Sequence, residues 1–284
     1  MGSVSARPRG GFVKRVLLTG ASAGFGLQTA RALCERGHEV WGTSRDVGRL
    51  PVVERFHPVA LDLNDPASIE AGFAQALQEA GYFDVLINNA GAGVFGPVEA
   101  FSDAEFAAQL QMLVLGPQRL ICGVLPDMRA RHAGLIVNVS SLAGEFPMPF
   151  MIPYSMGKAA LSAMSEGLVM ELAGSGIEVV DVRPGDFRTR FHESTRRIGG
   201  ALDEAYRPGV DKAWTTIDVN MNRAPNPQQV ADALVRIVEG RLRGPIVALG
   251  DAFQARIAPF LVRLVPRAWV QWGMCVYYGL KPPR

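Results

Sequence analysis

Cysteine is scarce: Cys34, Cys122 and Cys275 lie far apart, and their odd number argues against a disulfide framework. The histidines His38, His57, His132 and His192 are scattered singly, so no metal site is expected. Charge of either sign is not in excess: the net value is +2, which gives no argument for a nucleic-acid partner. A membrane span is missing too. The most apolar stretch, in the tail, is interrupted by Arg256, Pro259, Arg263, Pro266 and Arg267. The opening residues, about 1–12, are Gly/Arg-rich without the apolar core of a secretory signal, and read as a disordered leader. A reduced, cytoplasmic compartment is the resulting expectation. What remains is ordinary for a globular protein, 48% hydrophobic and 20% charged, with enough chain over 13–284 for one full core.

The stretch Ser140 to Lys158, SSLAGEFPMPFMIPYSMGK, concentrates the chemistry. Before it, LIVNVS reads as a buried strand of apolar, β-branched residues. After it, YSMGKAALSAMSEGLVMEL reads as a helix with Ala160, Met164, Leu168 and Leu172 at i, i+4 spacing and Pro153 in the first turn. Tyr154 and Lys158, four apart, share a helix face. Ser141 would stand at the carboxyl end of the strand, where open parallel sheets bind ligands. A free tyrosine titrates near ~10. An ammonium ~4 Å away is worth about 4 kcal/mol at a dielectric near 20, roughly three pKa units before desolvation. The expectation is therefore that Lys158 lowers Tyr154 into a working acid and base for an alcohol oxygen. Ser141 would hold a carbonyl oxygen as charge develops on it. On its own, Tyr-x-x-x-Lys is a common accident of amphipathic helices.

The chain around it supplies context. KRVLLT, Lys14 to Thr19, is a short strand followed by Gly20-Ala21-Ser22-Ala23-Gly24-Phe25-Gly26 and a helical pattern ending at Gly37. Strand, glycine turn and helix make a phosphate-cradling loop. The second strand, HEVWGT, ends in Ser44-Arg45-Asp46. Arg45 would meet a 2′-phosphate, with Ser44 uncharged beside it, whereas Asp46 could act as the acidic selector of a free 2′-hydroxyl. NADP(H) is favoured over NAD(H). A third strand, HPVAL, leads into Asp62-Leu63, read as an adenine contact or a plain loop; Asp65 and Pro66 open the next helix. FDVLI ends in Asn88-Asn89-Ala90-Gly91, a helix runs from about Asp103 through Arg131, and IEVVDV follows the central stretch. This alternation, without a repeat or linker, means one doubly wound α/β domain with a parallel sheet.

These motifs together resemble the short-chain dehydrogenase/reductase superfamily. Thr19-Gly20-Ala21-Ser22-Ala23-Gly24-Phe25-Gly26, Asn88-Asn89-Ala90-Gly91, Ser141, Tyr154-x-x-x-Lys158 and Pro184-Gly185-Asp186-Phe187-Arg188-Thr189 come in the family's order. The thirteen-residue step from serine to tyrosine also matches, and selects Ser141 over Ser140. The resemblance covers about residues 13 to 190 and, more loosely, PQQVADALVRIVEG and PIVAL. It implies a Rossmann-like, seven-stranded parallel sheet, and hydride exchange between a nicotinamide and a carbonyl or secondary alcohol of a fairly apolar substrate. Tyr154 would be the acid/base, with Lys158 holding the ribose and Ser141 orienting the substrate oxygen. Asn89, Ala90, Gly91, Pro184 and Gly185 would line the cofactor, and Thr189 would meet the nicotinamide amide. The Ser44-Arg45 ending is similar to NADP(H)-preferring members of the steroid and retinol dehydrogenase branch, and a dimer or tetramer of identical chains is implied.

One departure stands out. The family's asparagine in the middle of the fourth helix is replaced by Leu113, three residues before Gly116. The expectation is that Leu113 packs as core, that this helix runs straight, and that the relayed proton uses backbone carbonyls, Gln109 or Gln111. A rival reading is a dinucleotide-binding sensor or scaffold with little turnover; the intact trio argues against it and Leu113 weakly for it. The stretch 186–227 would be the substrate lid. Its Arg188, Arg190, His192, Arg196 and Arg197 would meet an acidic group such as a phosphate, or form a solvated face. The tail, about 253–284, carries Trp269, Trp272, Tyr277 and Tyr278 beside arginines. Peripheral membrane contact, a pocket wall, a subunit contact and core packing all fit it.

Overall fold

The computed structural model describes residues 12–188, 195–198, 204, 206–251, 253, 257, 260 and 264–282. Seven parallel strands form its central sheet. They are β1 (Arg15–Leu18), β2 (Glu39–Ser44), β3 (Phe56–Ala60), β4 (Val85–Asn88), β6 (Gly134–Val139), β7 (Ile177–Pro184) and β9 (Ile246–Leu249), in the spatial order 3-2-1-4-6-7-9. The strands are short apolar runs because both faces of the sheet are covered. On one face, α1 (Gly24–Glu35) and α7 (Gln228–Val238) pack through Ala30, Leu33, Val230 and Leu234. On the other, α2 (Pro66–Ala80), α4 (Gly116–Arg131) and α5 (Ile152–Glu171) pack through Ile69, Leu120, Val124 and Leu168. β1 pairs with both β2 and β4, so the winding reverses there and a crevice opens at the carboxyl ends of the strands. A two-residue parallel pair, β5 (Val94–Phe95) with β8 (Arg196–Arg197), was not foreseeable from so short a pattern.

Several local expectations hold. Asp65 caps α2 by accepting from the Ala67 N–H at 3.0 Å, with Pro66 in the first turn. PIVAL supplies the seventh strand. The straight fourth helix does not hold. α3 (Asp103–Leu110) runs into a π-turn at Gln111–Leu115 before α4 begins at Gly116. The cause is local. Regular α spacing would pair the Leu113 carbonyl with residue 117, which is a proline without an N–H. The Gly116 N–H instead reaches back to the Gln111 carbonyl. Leu113 is core as expected, 1% exposed. Gln111 is turned to the Leu63 carbonyl at 3.1 Å.

Beyond β8, α6 (Arg207–Arg223) buries Val210 and Ala213 against Phe95, Met151 and Tyr154. The tail ends in α8 (Arg267–Tyr277), and Tyr278 after it joins the same cluster. No helix among the described residues is long and apolar enough to cross a membrane.

Candidate active site

A cleft of about 2260 Å³ runs along the carboxyl ends of the strands. That exceeds the 300–1,000 Å³ or so of a single small-ligand pocket, leaving room for two ligands end to end. Its lining includes Gly20, Ser22, Ala23, Gly24 and Phe25 from the loop after β1, and Ser44, Arg45, Asp62 and Leu63 from the loops after β2 and β3. Asn89, Ala90 and Gly91 follow β4, Ser141 follows β6, Tyr154 and Lys158 come from α5, and Pro184 and Gly185 end β7. The sequence-selected residues thus converge, with two exceptions. Gly26 sits behind the loop rather than on the cleft, and Thr189 lies outside the described residues.

The glycines are required by close approach. A Cβ on Gly26 would lie 2.1 Å from the Gly20 carbonyl oxygen, so only glycine lets α1 start against the loop. Gly20 itself has φ +71°, and a Cβ there would fall 2.9 Å from the Ala90 Cα. Asn89 braces this arrangement rather than reaching out of it: its Nδ2 donates to the Thr19 carbonyl at 2.9 Å, and the Asn89 and Ala90 N–H groups donate to Thr19 Oγ1, each at 3.0 Å. The result is a smooth backbone cradle beside a helix amino terminus, which suits a pyrophosphate.

At the far end of the cradle a turn gives Arg45 and Asp46 different surroundings. The Asp46 carboxylate accepts from the Gly48 N–H at 3.0 Å, capping a 3₁₀ turn over Val47–Arg49. That turn brings Arg49, which sequence reading missed, onto the cleft beside Arg45. Both side chains are exposed, and among the described residues neither pairs with a carboxylate. Asp62 is likewise occupied, accepting from the Asn64 N–H at 3.0 Å, and Leu63 is buried under α4, within the range of Gly116.

The end of the cleft that holds Ser141, Tyr154 and Lys158 is built from β6 and α5. Ser141 Oγ accepts from the Ala143 N–H at 3.0 Å and lies 3.3 Å from the Pro184 carbonyl, while sharing a hydrogen bond with the Tyr154 phenol. Ser140 is committed elsewhere, donating to buried Asp181. Lys158 Nζ donates to the Val139 carbonyl at 2.7 Å and stands 5.8 Å from the centre of the Tyr154 ring. The expectation that Lys158 lowers Tyr154 therefore fails in this structure. Burial pushes the tyrosine up to about 12, against the hydrogen bond it shares with Ser141, with the Asp186 carboxylate adding to the rise. Burial also pulls Lys158 down to about 8, only partly opposed by Asp181. The spacing of Tyr154 and Lys158 was readable from the sequence; their depth was not.

Beyond Tyr154 the cleft widens between Phe146, Met148, Met151, Trp214 and the tail residues Trp269, Trp272, Met274 and Tyr277, an aromatic and methionine-rich wall. Asp186 faces it from the loop after β7, a contribution with no sequence signal beyond its place in the Pro-Gly motif. Of the arginine cluster, Arg196 pairs with Glu105, and Arg197 pairs with Asp211 at 3.4 Å while covering the Trp214 ring. Arg188 is exposed on the cleft; Arg190 and His192 lie outside the described residues. No metal-holding cluster occurs among the described residues.

Comparison with known proteins converges on one family. The family profile described as short chain dehydrogenase matches residues 14–198. A 3-ketodihydrosphingosine reductase of Bacteroides thetaiotaomicron is 30% identical over 275 residues, 94% of this chain and 98% of that protein. Mouse 17-beta-hydroxysteroid dehydrogenase type 1 is 35% identical over 242 residues, 76% of this chain and 68% of that one. Among solved structures, a short-chain dehydrogenase from Streptomyces avermitilis superposes with a TM-score of 0.78 at 31% identity, covering 95% of this chain and 98% of that one. A serine dehydrogenase complexed with NADP+ gives 0.72 at 26% identity, covering 84% and 96%.

Proposed function

This chain belongs to the short-chain dehydrogenases, and on that premise we propose that it is an NADPH-dependent reductase of a ketone carried on a long or broad apolar molecule. The observation that carries this reading is the placement of Ser141, Tyr154 and Lys158 between a glycine cradle and an aromatic, methionine-lined hollow in one cleft. The sphingoid and steroid substrates named for two relatives are both large and apolar, which supports the substrate class.

Gly20, Gly24, Ala90 and Gly91 would hold the dinucleotide, with Arg45 and Arg49 at its 2′-phosphate. Bound there, the nicotinamide supplies the hydride. The chain's own part is the proton and the alignment. The Ser141 hydroxyl, fixed by the Ala143 N–H, turns toward a carbonyl oxygen in place of the Pro184 carbonyl. Tyr154, held protonated by its burial, gives its proton to that oxygen. Lys158 keeps one N–H on Val139 and offers its remaining donors and its charge to the ribose and the forming phenolate. The direct test is a panel of ketones spanning chain length and ring size, followed by loss of NADPH absorbance. Turnover confined to small polar ketones would overturn the apolar assignment.

Cofactor choice follows from the two free cations. NADPH is expected to bind at least ~10-fold tighter than NADH, since charge-assisted contacts contribute about 1.5–3 kcal/mol and exposure reduces that. The Arg45→Ala/Arg49→Ala variant should close most of the gap, measured by fluorescence titration with both cofactors. Equal affinities in the unchanged protein would show that these arginines do not select.

The two displaced pKa values set the direction of pH dependence. Reduction needs Tyr154 protonated, a condition met throughout the neutral range because its pKa is pushed up to about 12. Loss of the Lys158 proton above about 8 removes the charge that stabilises the phenolate. Ketone reduction should therefore be flat below that value and decline above it. Alcohol oxidation needs the phenolate beside a charged Lys158, and should rise about tenfold per pH unit up to about 8 and level off above it. Rate profiles in both directions check this; a reduction rate that climbs with pH contradicts it.

A further inference from the structure

The tail has an anchored side and an exposed one, and the exposed side also reaches the rim of the cleft. Tyr278, with Met274 and Leu280, anchors it on the cluster around Phe95, Leu113 and Tyr154. The other side is open. Trp269, Trp272 and Val276, at i, i+3 and i+7 on α8, share a face and are exposed, Trp269 at 71%. Phe253, Ile257, Phe260 and Leu264 repeat the i, i+4, i+7 spacing just before it, with Phe260 exposed at 64%. Scattered apolar residues need no explanation, but seven exposed ones at helical spacing within one segment do.

Charge indicates what covers it. From residue 252 to 284 the chain carries five cations, Arg256, Arg263, Arg267, Lys281 and Arg284, and no aspartate or glutamate. Elsewhere acids and bases are nearly balanced, so the bias is local. Arg267 even opens α8, the end of a helix where the dipole disfavours a cation. A second copy of the chain is a poor occupant, because a symmetric contact would set the same acid-free, basic segment against itself. A surface that offers both hydrocarbon and negative charge satisfies both features.

We propose that this face of the tail docks on an anionic membrane surface, with the Trp269–Trp272–Val276 ridge at the level of the headgroups. Trp269, Trp272 and Phe253 also line the cleft, so docking sets the cleft's mouth against the bilayer. An apolar ketone could then pass from lipid to Tyr154 without crossing water. That route rests on the function proposed above; the membrane contact does not.

The test is sedimentation of the full chain with phosphatidylcholine vesicles, with and without phosphatidylglycerol, in the absence of substrate and cofactor. The expected result is pelleting with the phosphatidylglycerol vesicles only, weakened by added salt. The Trp269→Ala/Trp272→Ala variant should bind at least ~10-fold more weakly. The Arg267→Glu/Lys281→Glu variant, altered only at exposed positions, should lose the preference for phosphatidylglycerol. Circular dichroism checks that both variants remain folded. A chain that stays in the supernatant with both vesicle types overturns the proposal, and equal pelleting with both overturns the anionic assignment. If the tryptophan variant instead converts a dimer into a monomer in vesicle-free sedimentation velocity, the ridge is a subunit contact and the proposal is wrong. None of these outcomes depends on whether a ketone is reduced.

Discussion

Replacing Tyr154 with phenylalanine should lower kcat for ketone reduction by at least ~10² while leaving NADPH affinity nearly unchanged. The substitution removes one oxygen from a ring that is otherwise packed with Phe95, Leu113 and Met151, so the fold has little reason to respond. The phenol's hydrogen bond to Ser141 disappears, but the serine keeps the Ala143 N–H. What is lost is the proton itself. Among the described residues, Lys158 already donates to the Val139 carbonyl at 2.7 Å and is a poor substitute for the phenol. Single-turnover reduction monitored with NADPH already bound separates this loss from any change in binding. Activity within a few-fold of the unchanged protein would show that another group delivers the proton. A sensor or scaffold with little turnover would have no rate to lose, so the same pair of measurements tests that rival as well.

The Arg183→Met variant should lose about 3–5 kcal/mol of stability, because one partner of a buried ion pair would be left without its counter-charge. For a chain of this size that corresponds to a melting temperature roughly 10 °C lower. Asp181 is fully buried on β7, where its carboxylate accepts from Arg183 Nε at 2.6 Å, from Ser162 Oγ at 2.7 Å, and from Ser140. The same arginine reaches Glu166 at 2.7 Å and Glu145 on the surface side. The network ties the end of β6, the middle of α5 and the end of β7 together directly beneath Ser141, Lys158 and Pro184. Removing the cation leaves two hydroxyls to hold a carboxylate that water cannot reach. The paired variant Asp181→Leu/Arg183→Met should recover part of the loss, since it removes the buried charge as well. Thermal unfolding of the three proteins checks this. A single variant as stable as the unchanged chain would mean that Ser140 and Ser162 suffice.

Much of the fold was legible from nearest neighbours along the chain. The strands are apolar runs of fixed length, and Asp65 and Pro66 mark a helix start through contacts within one turn. The glycine loop is written as glycines at positions where a Cβ has no room. The spacing of Tyr154 and Lys158 fixes them on one helix face, since i and i+4 are adjacent in any α-helix. These signals are local, and local geometry is what sequence patterns encode most directly.

What the sequence left open depends on groups distant in the chain or on the shape of a turn. The different surroundings of Arg45 and Asp46 were not readable from their order; the 3₁₀ turn uses the aspartate as a cap and brings Arg49 onto the cleft beside Arg45. The buried side of α5 also carries Ser162 and Ser165, because Asp181 on β7 accepts from the first and Asn138 on β6 donates to the second. The depth of Tyr154 is set by α6 and the tail closing over it, which raises its pKa where pairwise charge alone predicted a fall. The tail itself was equally compatible with core, cleft wall and exposed surface. The sequence by itself determined which residues could perform the chemistry, through spacing and covalent geometry. Only the tertiary structure decided how deeply they are buried, and which side of the tail is exposed, because burial is a property of elements packed together and not of any one of them.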